Sequence, residues 1–207
     1  SLSFLMYEYW HFLLLIIFAA TAVGFFAGLF GIGGGLISVP CLFFIFETLN
    51  FDKNYLMHLT VGTAFTITIF TSTVSVITHN KNKLVDFSVV KTFGLFVVIG
   101  VLAGTVFASF MKTKMLVLFF SVVVYFFGAY LMMAQEQIKK IKPNSSITPR
   151  VFLGLFSGFV SAPMGITGAM MNVPILRYLG YPISKCIGSA AAIGFFISFT
   201  GSIGFLL

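Results

Sequence analysis

Polar and apolar positions in this chain do not alternate at the period of a strand or of a surface helix. The apolar residues run together instead. Residues 9–46, 54–80, 92–111, 115–135, 151–176 and 186–207 contain no Lys, Arg, Asp or Glu. Each window is long enough for the roughly 20 apolar residues that cross a bilayer core. A soluble helix would set a polar face against its apolar stripe, and these windows have none. The pattern predicts an all-α integral membrane protein with several spans.

Composition sharpens that reading. Charged residues are 8% of the chain against 59% hydrophobic, whereas a soluble domain carries about a quarter charged. The net charge of +7 does not point to nucleic acid, because no basic patch interleaves with aromatics. The basic residues sit in short loops, where the positive-inside bias places them. Lys81, Lys83 and Lys91 flank one loop and Lys139, Lys140, Lys142 and Arg150 another, so loops 80–91 and 135–150 are expected to be cytoplasmic. Cys41 and Cys186 show no ligand spacing and read as free thiols. No cleavable signal peptide is evident.

The chain also resembles itself. Gly24-Phe-Phe-Ala-Gly28 recurs as Gly154-Leu-Phe-Ser-Gly158, "GIGGGLISVP" (Gly31 to Pro40) as "GITGAMMNVP" (Gly165 to Pro174), and the block from Val61 to Ser75 as that from Ile187 to Gly201. Three blocks in the same order point to duplication. The expected units are a first transmembrane repeat over 1–134, a cytoplasmic linker over 135–149 and a second repeat over 150–207. That second repeat lacks counterparts of spans 87–110 and 115–134, so two final helices are expected to be absent. Arg177 and Lys185 in the second repeat face only Lys53, Glu47 and Asp52 at the matching loop. This charge difference predicts that the two loops lie on opposite faces and that the repeats are inverted.

The densest signal is Gly31, Gly33, Gly34 and Gly35 inside the longest neutral window. A phosphate loop would end in Lys and Ser or Thr, and this stretch does not. Close helix packing suits Gly24 and Gly28, but four glycines within five residues oppose a continuous helix. The remaining reading is a helix break, re-entrant or not, opening each repeat. A break frees amides at the start of the next half-helix, where the dipole favours an anion. Pro40 and Pro174 suit the early turns of such half-helices.

Other candidates follow from these breaks. Thr63 and Ser72 recur as Ser189 and Ser198, in spans rich in hydroxyls that either bond i−4 carbonyls or line a polar path. Asn172 stands where the first repeat has Ser38. The candidate substrate-binding set is therefore Gly31, Gly33, Gly34, Gly35, Ser38, Pro40, Thr63, Ser72, Gly165, Thr167, Gly168, Asn172, Pro174 and Ser189. His58 and His79 bracket one span and are candidates for proton coupling, since imidazole titrates near neutral pH. No nucleophile with its base and no metal-ligand cluster is recognisable, so neither an enzyme nor a cofactor is expected.

The ordered motifs "GLFGIGGGLISVP", "HLTVGTAF", "STVSVITHNKNKLVDF", "GITGAMMNVPIL" and "CIGSAAAIGF" resemble the TauE/SafE family of sulfite exporters, over nearly the whole chain. The resemblance implies a permease of two related four-helix halves that moves a small sulfur-containing anion such as sulfite or an organosulfonate. It sets the expected location in a bacterial inner (plasma) membrane, with lipid, the anion and protons as partners. Thr167 and Ala169 replace glycines of the first motif, so the half-sites are not equivalent. The alternatives are an anion channel and a non-transporting membrane assembly factor.

Overall fold

The computed structural model describes residues 2–30, 34–133, 146–167 and 169–206, and among them every regular element is helical. The nine helices are α1 (Leu2–Phe30), α2 (Gly35–Thr48), α3 (Leu56–Lys81), α4 (Phe87–Thr92), α5 (Gly94–Ser109), α6 (Thr113–Met133), α7 (Ile147–Met164), α8 (Ala169–Tyr178) and α9 (Ile183–Leu206). Five stretches are long and apolar enough to cross a membrane: α3, α4 with α5, most of α6, α7, and α9. Large apolar side chains such as Phe126, Phe152 and Leu118 point outward, as expected where the outside is hydrocarbon.

The same lipid removes the usual reason for helices to associate, because lipid tails are as apolar as leucine. Packing must therefore come from close backbone approach at small residues. The α5–α7 crossing is built this way. A methyl on Gly158 would strike the Val97 carbonyl, and one on Gly100 the Leu155 carbonyl. A methyl on Gly104 would lie 2.5 Å from the Phe159 oxygen. That oxygen has no i+4 donor, since the fourth residue on is Pro163. Of the two recurring glycine pairs, Gly154 and Gly158 thus pack tightly, whereas Gly24 has nothing within 4 Å.

The central pair is α3 against α9. Gly62 meets Phe205, Thr66 Oγ1 lies 2.9 Å from Ser202 Oγ, and Gly188 abuts the Leu84 carbonyl. Low numbers pair with high ones, so the two helices are antiparallel. Phe65, Ile193 and Ile197 are fully buried along this seam.

These contacts define two ends of the bundle. Thr113 Oγ1 donates to the Asn54 carbonyl at 2.9 Å, so the α2–α3 and α5–α6 loops share one end. At the other, Arg150 Nη1 donates to Thr92 Oγ1 at 3.2 Å and Nη2 to the Tyr181 hydroxyl at 2.7 Å. Lys185 Nζ donates to the Lys83 carbonyl at 2.8 Å there too. Residues 53 and 180 consequently lie at opposite ends of α3.

Candidate functional site

Among the described residues, one helix ends and the next begins around each glycine motif. In the second motif, α7 closes with Gly165 in the left-handed region at φ 66°. Its N–H donates to the Ala162 carbonyl and that of Ile166 to the Ser161 carbonyl, both at 3.4 Å. This is the Schellman arrangement, which needs a residue without Cβ strain at that position. The chain resumes as α8 at Ala169. In the first motif α1 runs to Phe30 and α2 starts at Gly35, after a turn at Gly34. Gly31, Gly33 and Gly168 lie outside the described residues.

The two interruptions touch. A methyl on Gly35 would lie 2.8 Å from the Gly165 oxygen and 3.1 Å from the Ile166 Cα. Gly165 is enclosed in turn by Val39 of α2 and Val61 of α3. From this contact α2 runs to one end of the bundle and α8 to the other. At about 1.5 Å per residue they are about 21 and 15 Å long, short of a roughly 30 Å core. The start of α2 therefore lies against the turn that precedes α8. The amides of Gly35 and Leu36, and of Ala169 and Met170, have no acceptor within their own helices. Pro40 and Pro174 are each the sixth residue of their half-helix. Neither breaks it, since only the Leu36 and Met170 carbonyls lose a donor.

The other candidates divide into groups. Thr167 and Ser72 lie on either side of Gly194, whose added Cβ would be 2.9 Å from the Thr167 oxygen and 3.8 Å from Ser72 Oγ. Both are nearly buried, and they extend the glycine contact towards α9. Gly34, Ser38 and Thr63 instead line a cavity of about 670 Å³ between α1, α2 and α3, with Cys41, Thr68 and Thr71. Asn172 is fully buried on α8, where Ser157 Oγ donates to its Oδ1 at 2.5 Å. Its Nδ2 has no partner among the described residues.

Hydroxyl protons decide what each group can offer. A hydroxyl has one proton, and Thr63, Thr66, Thr68 and Thr73 each donate theirs to an i−4 carbonyl at 2.6–2.9 Å. They present lone pairs outward, which an anion avoids. Ser38 Oγ points to the Gly35 carbonyl at 3.5 Å, too long to hold it. Asn172 Nδ2 and the half-helix amides remain donors.

Three candidates stand apart. Ser189 Oγ accepts the Asp86 N–H at 3.0 Å, while the Asp86 carboxylate caps α4 by accepting from Ser88 and Val89. His58 Nε2 lies 3.0 Å from the Ala108 carbonyl at the end of α5, with Phe205 beside the ring and Nδ1 buried without a partner among the described residues. His79 is in the last turn of α3, at the opposite end from His58. Among the described residues no three His, Cys, Asp or Glu side chains cluster. Ser157 and Gly194 were not recognisable as site residues in the sequence. Only the spacing of Ser157 from Ser161, one turn along a glycine-bearing span, hints at the first.

Comparison with known proteins agrees with a membrane protein. The family profile described as sulfite exporter TauE/SafE matches residues 16–207. The chain is 28% identical over 200 residues to a "Probable membrane transporter protein" of Haemophilus influenzae, covering 95% of this chain and 74% of the relative. It is 26% identical over 203 residues to one of Methanocaldococcus jannaschii, covering 98% and 75%. A Bacillus subtilis protein of the same description, YunE, is 23% identical over 222 residues, covering 95% and 78%. No solved structure matches the chain significantly.

Proposed function

Since the chain belongs to the TauE/SafE sulfite exporter family of membrane transporters, we propose that it carries a small sulfur-containing anion, such as sulfite or an organosulfonate, held where α2 and α8 begin. The observation that carries this reading is the contact of Gly35 with Gly165. It sets the start of α2 against the turn at Gly165, four residues before α8 begins, and each helix N-terminus is equivalent to about half a positive charge. An oxyanion there meets backbone amides without a lysine or arginine in the spans. Asn172 Nδ2 and Ser72 supply further donors, and each neutral hydrogen bond adds roughly 0.5–1.5 kcal/mol. Affinity is therefore modest and selectivity geometric.

The antiparallel α3–α9 pair and the opposite courses of α2 and α8 support reading 1–134 and 150–207 as inverted repeats. Such repeats place the substrate at their interface, and alternating access follows when one rocks against the other. The cavity between α1, α2 and α3 reaches Gly34, but its lining is almost wholly apolar, so in this reading it borders the anion site and is not part of it. The end bearing Arg150, Arg177 and Lys185 is cytoplasmic in a bacterial inner membrane by the positive-inside bias. Proteoliposomes containing the purified protein, loaded with sulfite, test the proposal. Protein-dependent flux is expected, unaffected by chloride; equal passage of chloride would identify an anion channel.

A further inference from the structure

We propose that the end of the bundle carrying Arg150, Arg177 and Lys185 is a docking site for the phosphate headgroup of an anionic phospholipid. The three residues come from α7, α8 and α9, and the fold gathers two of them on one residue. Arg150 donates to the Tyr181 hydroxyl and lies over its ring, 5.7 Å from the centroid. Arg177 Nη1 donates to the Tyr181 carbonyl at 3.3 Å, and Lys185 Nζ to the Lys83 carbonyl. A carbonyl is neutral. It fixes the direction of the Arg177 and Lys185 cations without cancelling their charge.

The carboxylate among the described residues at this end is that of Asp86, and it accepts from backbone amides of α4. Glu47 and Asp52 lie at the opposite end. Arg177 is half-buried, with its Nε enclosed by the protein. A phosphate supplies several acceptor oxygens and a full negative charge, in the planar two-point geometry that arginine favours. The surrounding surface selects a lipid over a free phosphate. Phe152, Tyr178 and Ile183, each within two positions of one of the three cations, are exposed, so acyl chains hanging from the headgroup would find apolar side chains at this end. Basic pockets between helices at the cytoplasmic face recognise headgroups in this way.

Native mass spectrometry of protein released from phosphatidylcholine nanodiscs, with and without phosphatidylglycerol, reads the site directly. Wild type is expected to retain phosphatidylglycerol in preference to phosphatidylcholine. Arg177→Gln and Lys185→Gln should each lower the retained fraction about fivefold, the worth of one basic residue near an anionic surface. Lys53→Gln, at the other end, should not. Lys185 is partly exposed and bonds a loop carbonyl, so its variant folds whatever becomes of Arg177→Gln. Equal retention by Lys185→Gln and wild type would overturn the proposal. So would inorganic phosphate displacing the lipid at equal concentration, which would make this a free-anion site.

Discussion

Gly35 and Gly165, 130 positions apart in the sequence, are close enough that a methyl on the first would lie 2.8 Å from the carbonyl oxygen of the second. Real Cβ atoms do not approach an oxygen so closely, so the start of α2 cannot gain a side chain without moving the turn that closes α7. Gly34, one residue earlier, has nothing within 4 Å. The two neighbouring glycines therefore make opposite predictions. A methyl at 34 enters the cavity, whereas a methyl at 35 separates the two half-helices.

The α5–α7 crossing should be the most sensitive part of the fold. Gly158→Ala forces a methyl into the Val97 carbonyl and should destabilise the protein by about 1–3 kcal/mol, the usual cost of overpacking. Gly24→Ala meets open space and should be neutral, or stabilising by up to about 1 kcal/mol through helix propensity. Thermal unfolding in detergent compares the two, and equal losses would show that the crossing has no special role.

Asn172→Ala should weaken sulfite binding by about two- to tenfold, the worth of one neutral hydrogen bond. The fold should survive, because the Ser157 hydroxyl can turn to its own i−4 carbonyl. Half-saturation of flux in proteoliposomes measures this. A variant with unchanged half-saturation would remove Asn172 from the site.

The two native cysteines provide a probe of the cavity. Cys41 lines it and Cys186 is fully buried. N-ethylmaleimide should label Cys41 in intact membranes and reach Cys186 only after denaturation, as peptide mass mapping would show. Labelling of Cys186 first would mean that the α1–α2–α3 space is closed.

Topology makes a separate demand. In a variant with both native cysteines replaced by serine, Lys53→Cys and Ser184→Cys should react with an impermeant thiol reagent from opposite sides of sealed vesicles. Reaction from one side would reverse the inverted-repeat reading.

The spans were readable from the chain because charge alone marks their limits. The uncharged window 54–80 became Leu56–Lys81, and 186–207 became Ile183–Leu206. The glycine motifs were readable as positions, since each glycine costs a helix about 1 kcal/mol against alanine and a dense run of them opposes its continuation. What pairs with what was not readable. A helix that is apolar on every side carries no period to identify its buried face, so nothing marked Gly158 as packed and Gly24 as open. Hydroxyls were ambiguous for a related reason. Thr63 and Ser72 look alike in sequence, and only coordinates show that the Thr63 proton is held by the Leu59 carbonyl. Ser189 was drawn into the candidate set by its match to Thr63, yet its oxygen holds Asp86, 103 residues away.

The most direct test is uptake of radiolabelled sulfite by proteoliposomes carrying wild type, Gly34→Ala or Gly35→Val, each incorporated to the same density and monodisperse beforehand. An anion held by the paired starts of α2 and α8 predicts flux for wild type and Gly34→Ala and none for Gly35→Val. Flux through Gly35→Val at the wild-type rate, or none through wild type, would contradict it.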